Sequence, residues 1–132
     1  MTASARWAAE QHAEAVAKVV SVLCRSRLAM ETEKRMQADM AERFADAGLV
    51  FEREVAVAGG IIDFLVQDRL SAGIGIEVKI GGRQADIVRQ ITGYAADPRI
   101  ASFVLATSKP YALPTRIAGK RITTVHLGRA WL

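Results

Sequence analysis

Three short segments rich in β-branched and aromatic residues follow one another between residues 50 and 80, and they constrain the fold more than any other feature. The segments are VFEREVAV (50–57), IIDFLVQ (61–67) and IGIEVKI (74–80). Gly59-Gly60 and residues 68–73 connect them, and short connections that contain glycine are typical of neighbouring antiparallel strands. The pattern therefore predicts a three-stranded antiparallel meander.

The meander is preceded by a long helical stretch. Residues 5–47 contain no Gly or Pro and are rich in Ala, Glu, Lys, Arg and Met, which favour helices. Two apolar stripes within the stretch are out of phase with each other. They predict two helices separated by a break near Met30–Thr32, with Thr32 capping the second helix and Gly48 ending it.

A third helix is predicted over residues 83–96, before Asp97-Pro98. Two further strands follow, at 101–108 and 121–128. Because a helix between the third and fourth strands permits a parallel crossover, we expect an α/β fold with a mixed sheet of about five strands flanked by helices.

The chain of 132 residues is short enough for one domain and long enough to bury a core. We predict a single domain over 1–132, with 1–30 as an N-terminal helical extension. Apolar residues make up 51% of the chain, which argues against disorder.

Charged residues interrupt two of the predicted strands. Asp63 lies in IIDFLV, where an ionised group buried without a partner would cost several kcal/mol. Glu77 and Lys79 are two positions apart on the next strand, so they point to one face, and Ile76 and Val78 point to the other. A hairpin would bring Asp63 opposite Glu77, which places two carboxylates and an ammonium group together.

Helices on either side of the meander supply further polar candidates. Glu33 borders the apolar face by which the second helix would dock on the sheet. Gln90 and Tyr94 are four residues apart on the third helix and therefore share a face, and Arg83 and Arg89 lie nearby as candidates for substrate binding.

If Glu33 joined Asp63 and Glu77, the three acids would repel one another unless a cation neutralised them. Oxygen ligands combined with water are what Mg²⁺ prefers. A hydrated Mg²⁺ beside the Lys79 ammonium is suited to hydrolysing a phosphodiester, because the metal lowers the pKa of its bound water and the lysine stabilises the transition state.

The ordered set of Glu33, Gly60-x2-Asp63, Glu77-x-Lys79 and Gln90-x3-Tyr94 resembles the core of the PD-(D/E)XK nuclease superfamily. The outer positions are similar to motifs of its RecB-like and phage or Holliday-junction-resolvase-like branches. The resemblance covers residues 31–107 and implies a restriction-endonuclease-like core. Ile62 stands where the superfamily motif often has proline.

The resemblance also implies roles for these residues. Asp63 and Glu77 would be metal ligands, with the Val78 carbonyl completing the set, and Lys79 would be the catalytic lysine. Glu33 would be an outer or additional ligand, and Gln90 and Tyr94 would position Lys79 or a phosphate. The implied cofactor is Mg²⁺, with Mn²⁺ as a substitute, and the implied activity is DNA cleavage by a homodimer in a bacterial or phage-infected cell.

Other features carry less weight. His12 and His126 have no second His or Cys at ligand spacing, so no zinc site is predicted. Cys24 is expected to pack among apolar residues at helical spacing. No apolar run approaches the length of a membrane span, which favours a cytoplasmic protein without a membrane partner.

The net charge of +4 permits a polyanionic partner. A basic cluster surrounds the last connection, where it would either follow a DNA backbone or simply be solvated. Its members are Lys109, Arg116, Lys120 and Arg121.

Two alternative functions remain open from the sequence. The first is a nucleic-acid-binding or assembly module that has the nuclease fold without catalysis. The second is an unrelated α+β interaction domain that presents a charged sheet face.

Overall fold

The computed structural model describes residues 2–67 and 73–127. The described residues contain three helices: α1 (Ala3–Arg25), α2 (Glu33–Asp46) and α3 (Gln84–Tyr94). They also contain six strands: β1 (Phe51–Val57), β2 (Gly60–Val66), β3 (Gly73–Lys79), β4 (Ile100–Thr107), β5 (Arg116–Ile117) and β6 (Lys120–His126).

The predicted break between the first two helices is confirmed. Thr32 caps α2, because its hydroxyl accepts a hydrogen bond from the Arg35 N–H over 3.1 Å. Gly48 ends the helix with a φ of 76° and donates its N–H to the Ala45 carbonyl. Glycine suits this position because a side chain would strain the left-handed conformation.

The strands form one mixed sheet in the order β1-β2-β3-β4-β6-β5. The meander β1-β2-β3 is antiparallel, and α3 then makes a crossover to β4, which runs parallel to β3. The strand β6 is parallel to β4 and antiparallel to β5. The predicted mixed α/β fold is confirmed.

The described sheet has one strand more than the five predicted, because β5 spans only two residues and leaves no periodic pattern in the sequence. It turns back into β6 through Ala118 and Gly119, both at positive φ. The predicted connection over 68–72 and the predicted end of the last strand at 128 lie outside the described residues.

Helices cover both faces of the sheet and form two apolar layers. The first layer joins α1 and α2 to the sheet through Val19, Val22, Leu23, Met36, Met40, Phe44, Ile74, Ile76 and Val78. The second layer joins α3 to the opposite face through Ile62, Ile87, Ile91, Tyr94, Phe103 and Leu105. Each fully buried side chain of this size contributes about 1.5–3 kcal/mol of hydrophobic free energy.

In β1 and β2 the regular alternation of side chains between the two faces of the sheet is interrupted near the middle of each strand. Ile62 and Leu65 both pack in the layer beneath α3, although three positions would normally place them on opposite faces. The pair Glu54 and Asp63 is missing from the β1–β2 register, and Glu54 has a φ of 51°. This local irregularity turns the backbone at Asp63, the charged residue within the apolar strand.

A buried carboxylate fastens the β1–β2 turn to the start of β4. Asp97 accepts hydrogen bonds from the Ala58 N–H at 3.0 Å and from the Arg99 N–H at 2.9 Å. The Arg99 guanidinium also donates to both Asp97 oxygens and to the Ala56 carbonyl. These bonds, headed by those to the Arg99 side chain, lower the pKa of Asp97 well below its usual range.

Two further features of the helices are the position of Cys24 and the absence of a membrane span among the described residues. Helical spacing predicts Cys24 in the core, but the residue is exposed, because Val19, Val22 and Leu23 form the inward face of α1. No helix in residues 2–67 and 73–127 has the length and apolar character needed to cross a bilayer.

Candidate active site

Asp63 of β2 and Glu77 of β3 lie beside each other. The Asp63 N–H donates to Glu77 Oε1 over 3.2 Å, and the Val78 N–H donates to Asp63 Oδ2 over 2.7 Å. Each carboxylate therefore accepts a hydrogen bond from the main chain of the other strand. The expected proximity of the two acids is confirmed, while their role in catalysis stays a prediction.

The local backbone explains this arrangement. Regular pairing of β2 with β3 extends from Val66↔Ile74 to Phe64↔Ile76. At the next position the Asp63 carboxylate, instead of a main-chain carbonyl, accepts the Val78 N–H. The irregularity at Glu54 and Asp63 thus replaces a step of the sheet ladder with side-chain hydrogen bonds, and it turns the Asp63 carboxylate toward β3.

Lys79 completes a charged cluster on the same strand as Glu77. Its Nζ lies 3.3 Å from Glu77 Oε2, and its side chain is 20% exposed whereas that of Glu77 is 4% exposed. The ammonium group therefore lies between the buried acids and solvent. As predicted, Glu77 and Lys79 share a face, and Ile76 and Val78 belong to the opposite apolar layer.

Burial makes the negative charge of this pair costly. Burial and, to a smaller extent, the Asp63 charge raise the pKa of Glu77 to about 7, because the attraction of Lys79 only partly opposes them. Burial also raises the pKa of Asp63, against the lowering effects of the Val78 N–H and of Lys79. A cation at this position would relieve the repulsion and the desolvation cost together.

Glu33 lies at the margin of the pair. Its Oε1 accepts the Ile80 N–H over 3.1 Å, just beyond the end of β3. Its charge is the smallest of the influences that raise the pKa of Asp63. Glu33 therefore fixes the end of β3 to the start of α2 and adds a weaker negative potential.

Gln90 and Tyr94 form a hydrogen-bonded chain that ends on β2. Gln90 Nε2 donates to the Tyr94 hydroxyl over 2.8 Å, and the hydroxyl donates to the Ile61 carbonyl over 2.8 Å. In the described part of the chain no hydrogen bond joins either side chain to Lys79. The pair thus supports the segment before Asp63, and its predicted role in positioning Lys79 or a phosphate stays a prediction.

The charges of the two acids nonetheless affect the pKa of Tyr94. Burial, together with the charges of Glu77 and Asp63, raises the pKa of its phenol to about 12. The neutral hydroxyl therefore persists through the physiological range and keeps its hydrogen bond to the Ile61 carbonyl.

Arg83 and Arg89 lie on the exposed side of α3, close after the end of β3. Both pair with Asp86, at 3.8 Å for Arg83 and 3.0 Å for Arg89, and their side chains are 82% and 76% exposed. Such exposed ion pairs contribute little to stability. Their guanidinium groups remain accessible to a phosphate backbone.

The donor set fits Mg²⁺ through two carboxylates. Asp63 Oδ2 accepts the Val78 N–H, and the side chains of Asp63 and Glu77 are close enough to share a hydrogen bond. Proteins commonly hold Mg²⁺ through one or two carboxylates and leave several waters in place. Asp63 and Glu77 meet that requirement, and the raised pKa values show that their negative charge lacks sufficient compensation.

A third acid does not join them. No group of three or more His, Cys, Asp or Glu side chains suited to a metal ion forms among residues 2–67 and 73–127. Glu33 therefore does not complete the three-carboxylate cluster that the sequence led us to expect. The remaining positions around a cation at the pair would belong to main-chain oxygen, to water and to a substrate.

The sequence did not reveal the contributions of Glu54 and of the Val78 N–H. A non-glycine residue at positive φ carries no reliable sequence signal. The one available sign is the change of spacing in β1, where Phe51 packs in the first layer and Val55 in the second.

The predicted basic cluster does not act as a unit. Lys120 Nζ donates to the Asp97 carbonyl over 2.8 Å, so it supports the turn before β4. Lys109 is exposed at the turn after β4, where its N–H donates to the Thr107 hydroxyl. Arg116 and Arg121 face each other as partners of β5 and β6.

Comparisons with protein-family models, with curated proteins and with solved structures found no significant match to this chain.

Proposed function

We propose that this protein is a metal-dependent nuclease that hydrolyses DNA phosphodiester bonds at Asp63, Glu77 and Lys79. The observation that carries the proposal is a pair of adjacent carboxylates, Glu77 buried and Asp63 partly buried, whose pKa values are raised, with a lysine 3.3 Å from Glu77. Perturbed acids beside a single ammonium are typical of catalytic sites. The restriction-endonuclease-like core remains part of the proposal.

In this proposal the carboxylates of Asp63 and Glu77 hold the cation, with the Val78 carbonyl as a further donor. Bound Mg²⁺, or Mn²⁺ in its place, supplies Lewis acidity that lowers the pKa of a coordinated water and screens the phosphate charge. The hydrogen bonds from the Asp63 and Val78 amides keep both carboxylates in position before a substrate arrives.

Lys79 has the role of stabilising charge. Its ammonium lies at the solvent side of the acids, where it can donate to the attacking water or to a phosphate oxygen as negative charge builds. The water loses a proton to solvent as its oxygen bonds to phosphorus, the bond to the leaving oxygen breaks, and that oxygen takes a proton from a solvent water. Removing one such donor typically lowers the rate about 10²–10³-fold.

The substrate would approach across the loop that follows β3. A Cβ added at Gly81 or Gly82 would meet no heavy atom within 4 Å, which leaves space beside these two residues, and the Tyr111 hydroxyl donates to the Gly82 carbonyl. Arg83 and Arg89 stand at the far side of the loop with accessible guanidinium groups. They would contact phosphates without reading bases, which favours structure-directed or weakly sequence-specific cleavage.

The proposed setting is DNA processing in the cytoplasm of a bacterial or phage-infected cell. Cleavage of both strands of a duplex is commonly divided between two subunits, and we propose a homodimer on that basis. Light scattering should give twice the 14.3 kDa of the chain. A mass of one chain at the concentration used for cleavage would contradict the dimer.

The first test is cleavage of linear, branched and single-stranded DNA by the wild type and by Asp63→Asn. Reactions contain Mg²⁺, Mn²⁺ or EDTA. We expect cleavage with either metal, none in EDTA, and a loss of at least about 100-fold in the variant. Asp46→Asn is the matched control, because Asp46 is an exposed acid paired with Arg43 on α2.

The non-catalytic alternative predicts a different outcome from the same experiment. The absence of a third acid among the described residues is the observation that favours it. Tight DNA binding without cleavage under any of these conditions would support a binding or assembly module. Neither binding nor cleavage would leave the interaction domain as the remaining explanation.

A further inference from the structure

A cavity separate from the acidic pair lies between α1 and the start of β4 and β6, and its lining combines polar and apolar groups. Its volume is about 420 Å³, a size in the range of small-molecule sites. Its floor is formed by Ser102, Arg121 and Thr123, and α1 forms the facing wall. The cavity is also distant from the acidic pair along β4. Ser102, in the cavity, lies five residues before Thr107, which is the register partner of Lys79. At about 3.3 Å per residue, Ser102 and Thr107 are about 17 Å apart along β4.

Two arginines in this cavity stand directly opposite each other. Arg116 and Arg121 are register partners on antiparallel strands, so their side chains share a face of the β5–β6 pair. Like charges in this arrangement destabilise a sheet. No ion pair in the described part of the chain includes either residue, and the Arg116 guanidinium donates only to the Gly119 carbonyl. An anion between them would turn the repulsion into attraction.

The rest of the lining suits a phosphate ester rather than a simple ion. His12 Nε2 lies 2.7 Å from the hydroxyl of the buried Ser102, which adds polar groups close to the arginines. Along α1 the wall consists of Ala9, Ala13 and Val16, whose small apolar side chains leave room for a base or another flat group. None of the described lining residues is acidic.

We propose that this cavity binds a phosphate ester of about mononucleotide size, with its phosphate between Arg116 and Arg121. The phosphate belongs either to a free nucleotide or to the phosphorylated end of a nucleic-acid strand. The inference goes beyond the proposed nuclease activity and does not depend on it, because the cavity shares no residue with the Asp63 and Glu77 site.

Calorimetric titration of the full chain tests the proposal. The probes are dAMP, deoxyadenosine, inorganic phosphate and a short oligonucleotide with and without a 5′-phosphate. We expect saturable binding of dAMP, of the 5′-phosphorylated oligonucleotide, or of both, and much weaker binding of deoxyadenosine. Binding of dAMP alone identifies a free nucleotide, and binding of the oligonucleotide only when phosphorylated identifies a strand end. If neither phosphate ester binds, the proposal is overturned.

Variants connect binding to the cavity. Arg121→Gln should weaken dAMP binding about tenfold or more, whereas Arg25→Gln, which removes an exposed arginine at the far end of α1, should leave it unchanged. Equal weakening by both variants would indicate general charge attraction and would overturn the site. Ala13→Leu should also weaken dAMP binding, and unchanged affinity would exclude the cavity as the location.

Thermal melting separates loss of binding from loss of folding. Without ligand, Arg121→Gln should melt slightly above the wild type, because the variant lacks the repulsion from Arg116. With dAMP, the wild type should gain stability and Arg121→Gln should not. A variant that melts well below the wild type without ligand would contradict the unpaired repulsion on which the site is based.

Discussion

Replacing Glu77 by Gln should stabilise the protein while removing the negative charge on which the proposed chemistry depends. The pKa of Glu77 rises from an ordinary 4.5 to about 7 in the folded protein, mainly through burial and then through the Asp63 charge. Between these values the folded state holds a proton that the unfolded state has released. Wild-type stability therefore falls as the pH rises from about 4.5 to about 7.

The size of this loss of stability follows from the difference between the two pKa values of Glu77. At 1.36 kcal/mol for each pH unit, the charged Glu77 costs up to about 3 kcal/mol above pH 7. Gln resembles the neutral form, so Glu77→Gln should be more stable than the wild type by up to about 3 kcal/mol at pH 8.5. The difference should approach zero near pH 4, where Glu77 is protonated in both states.

Urea unfolding followed by circular dichroism in EDTA measures this difference at several pH values. Glu42→Gln is the matched control, because Glu42 is an exposed acid beside Arg43 and its replacement should give no such pH profile. Addition of Mg²⁺ at pH 8.5 should stabilise the wild type and not Glu77→Gln. A variant less stable than the wild type at pH 8.5 would refute the reasoning, since the attraction of Lys79 would then outweigh burial.

Three further predictions concern the scaffold and the substrate. Asp97→Asn should lower the free energy of unfolding by about 2 kcal/mol in urea, with Asp46→Asn nearly neutral. Because the pKa of Asp97 is lowered in the folded protein, its contribution to stability is present above about pH 4 and is lost as the pH falls below that value. A wild type that gains stability relative to Asp97→Asn from pH 5 to pH 3 would contradict this. Gly59→Ala should destabilise the protein by more than about 1 kcal/mol, because the position has a φ of 80° and a Cβ would come within 2.7 Å of the Gly93 backbone. A Cβ at Gly81 would meet no neighbour, so Gly81→Ala should be tolerated. Equal melting temperatures for the two variants would refute the close approach of Gly59 to Gly93. Arg83→Gln should weaken DNA binding similarly for all sequences and reduce the salt dependence by about one phosphate contact, and an unchanged salt slope would remove Arg83 from the interface.

The sequence predicted the sheet well where apolar and charged residues alternate regularly along a whole strand. In β3 the alternation of Ile74, Ile76 and Val78 with Glu77 and Lys79 places apolar and charged groups on opposite faces, and the structure has that arrangement. The third helix was predictable for the same reason, because its apolar residues recur at helical spacing.

Prediction failed where long-range packing determines the local structure. Glu54 adopts a positive φ that its residue type does not favour, and the change of face in β1 and β2 follows from it. Glu33 was predicted as an outer or additional ligand; its charge does act on Asp63, but the sequence did not reveal that its carboxylate accepts the Ile80 N–H. Such orientations depend on how elements pack together, which spacing along the chain does not specify.

The direct test of the central claim is the single-turnover rate of DNA cleavage by Lys79→Ala, compared with wild type and with Lys18→Ala, in Mg²⁺. Lys18 is an exposed lysine on α1, so its removal matches the change in net charge. We expect Lys79→Ala to lose at least about 100-fold in rate while DNA binding is retained and Lys18→Ala remains active. Equal rates for all three proteins would contradict a catalytic site at Asp63, Glu77 and Lys79.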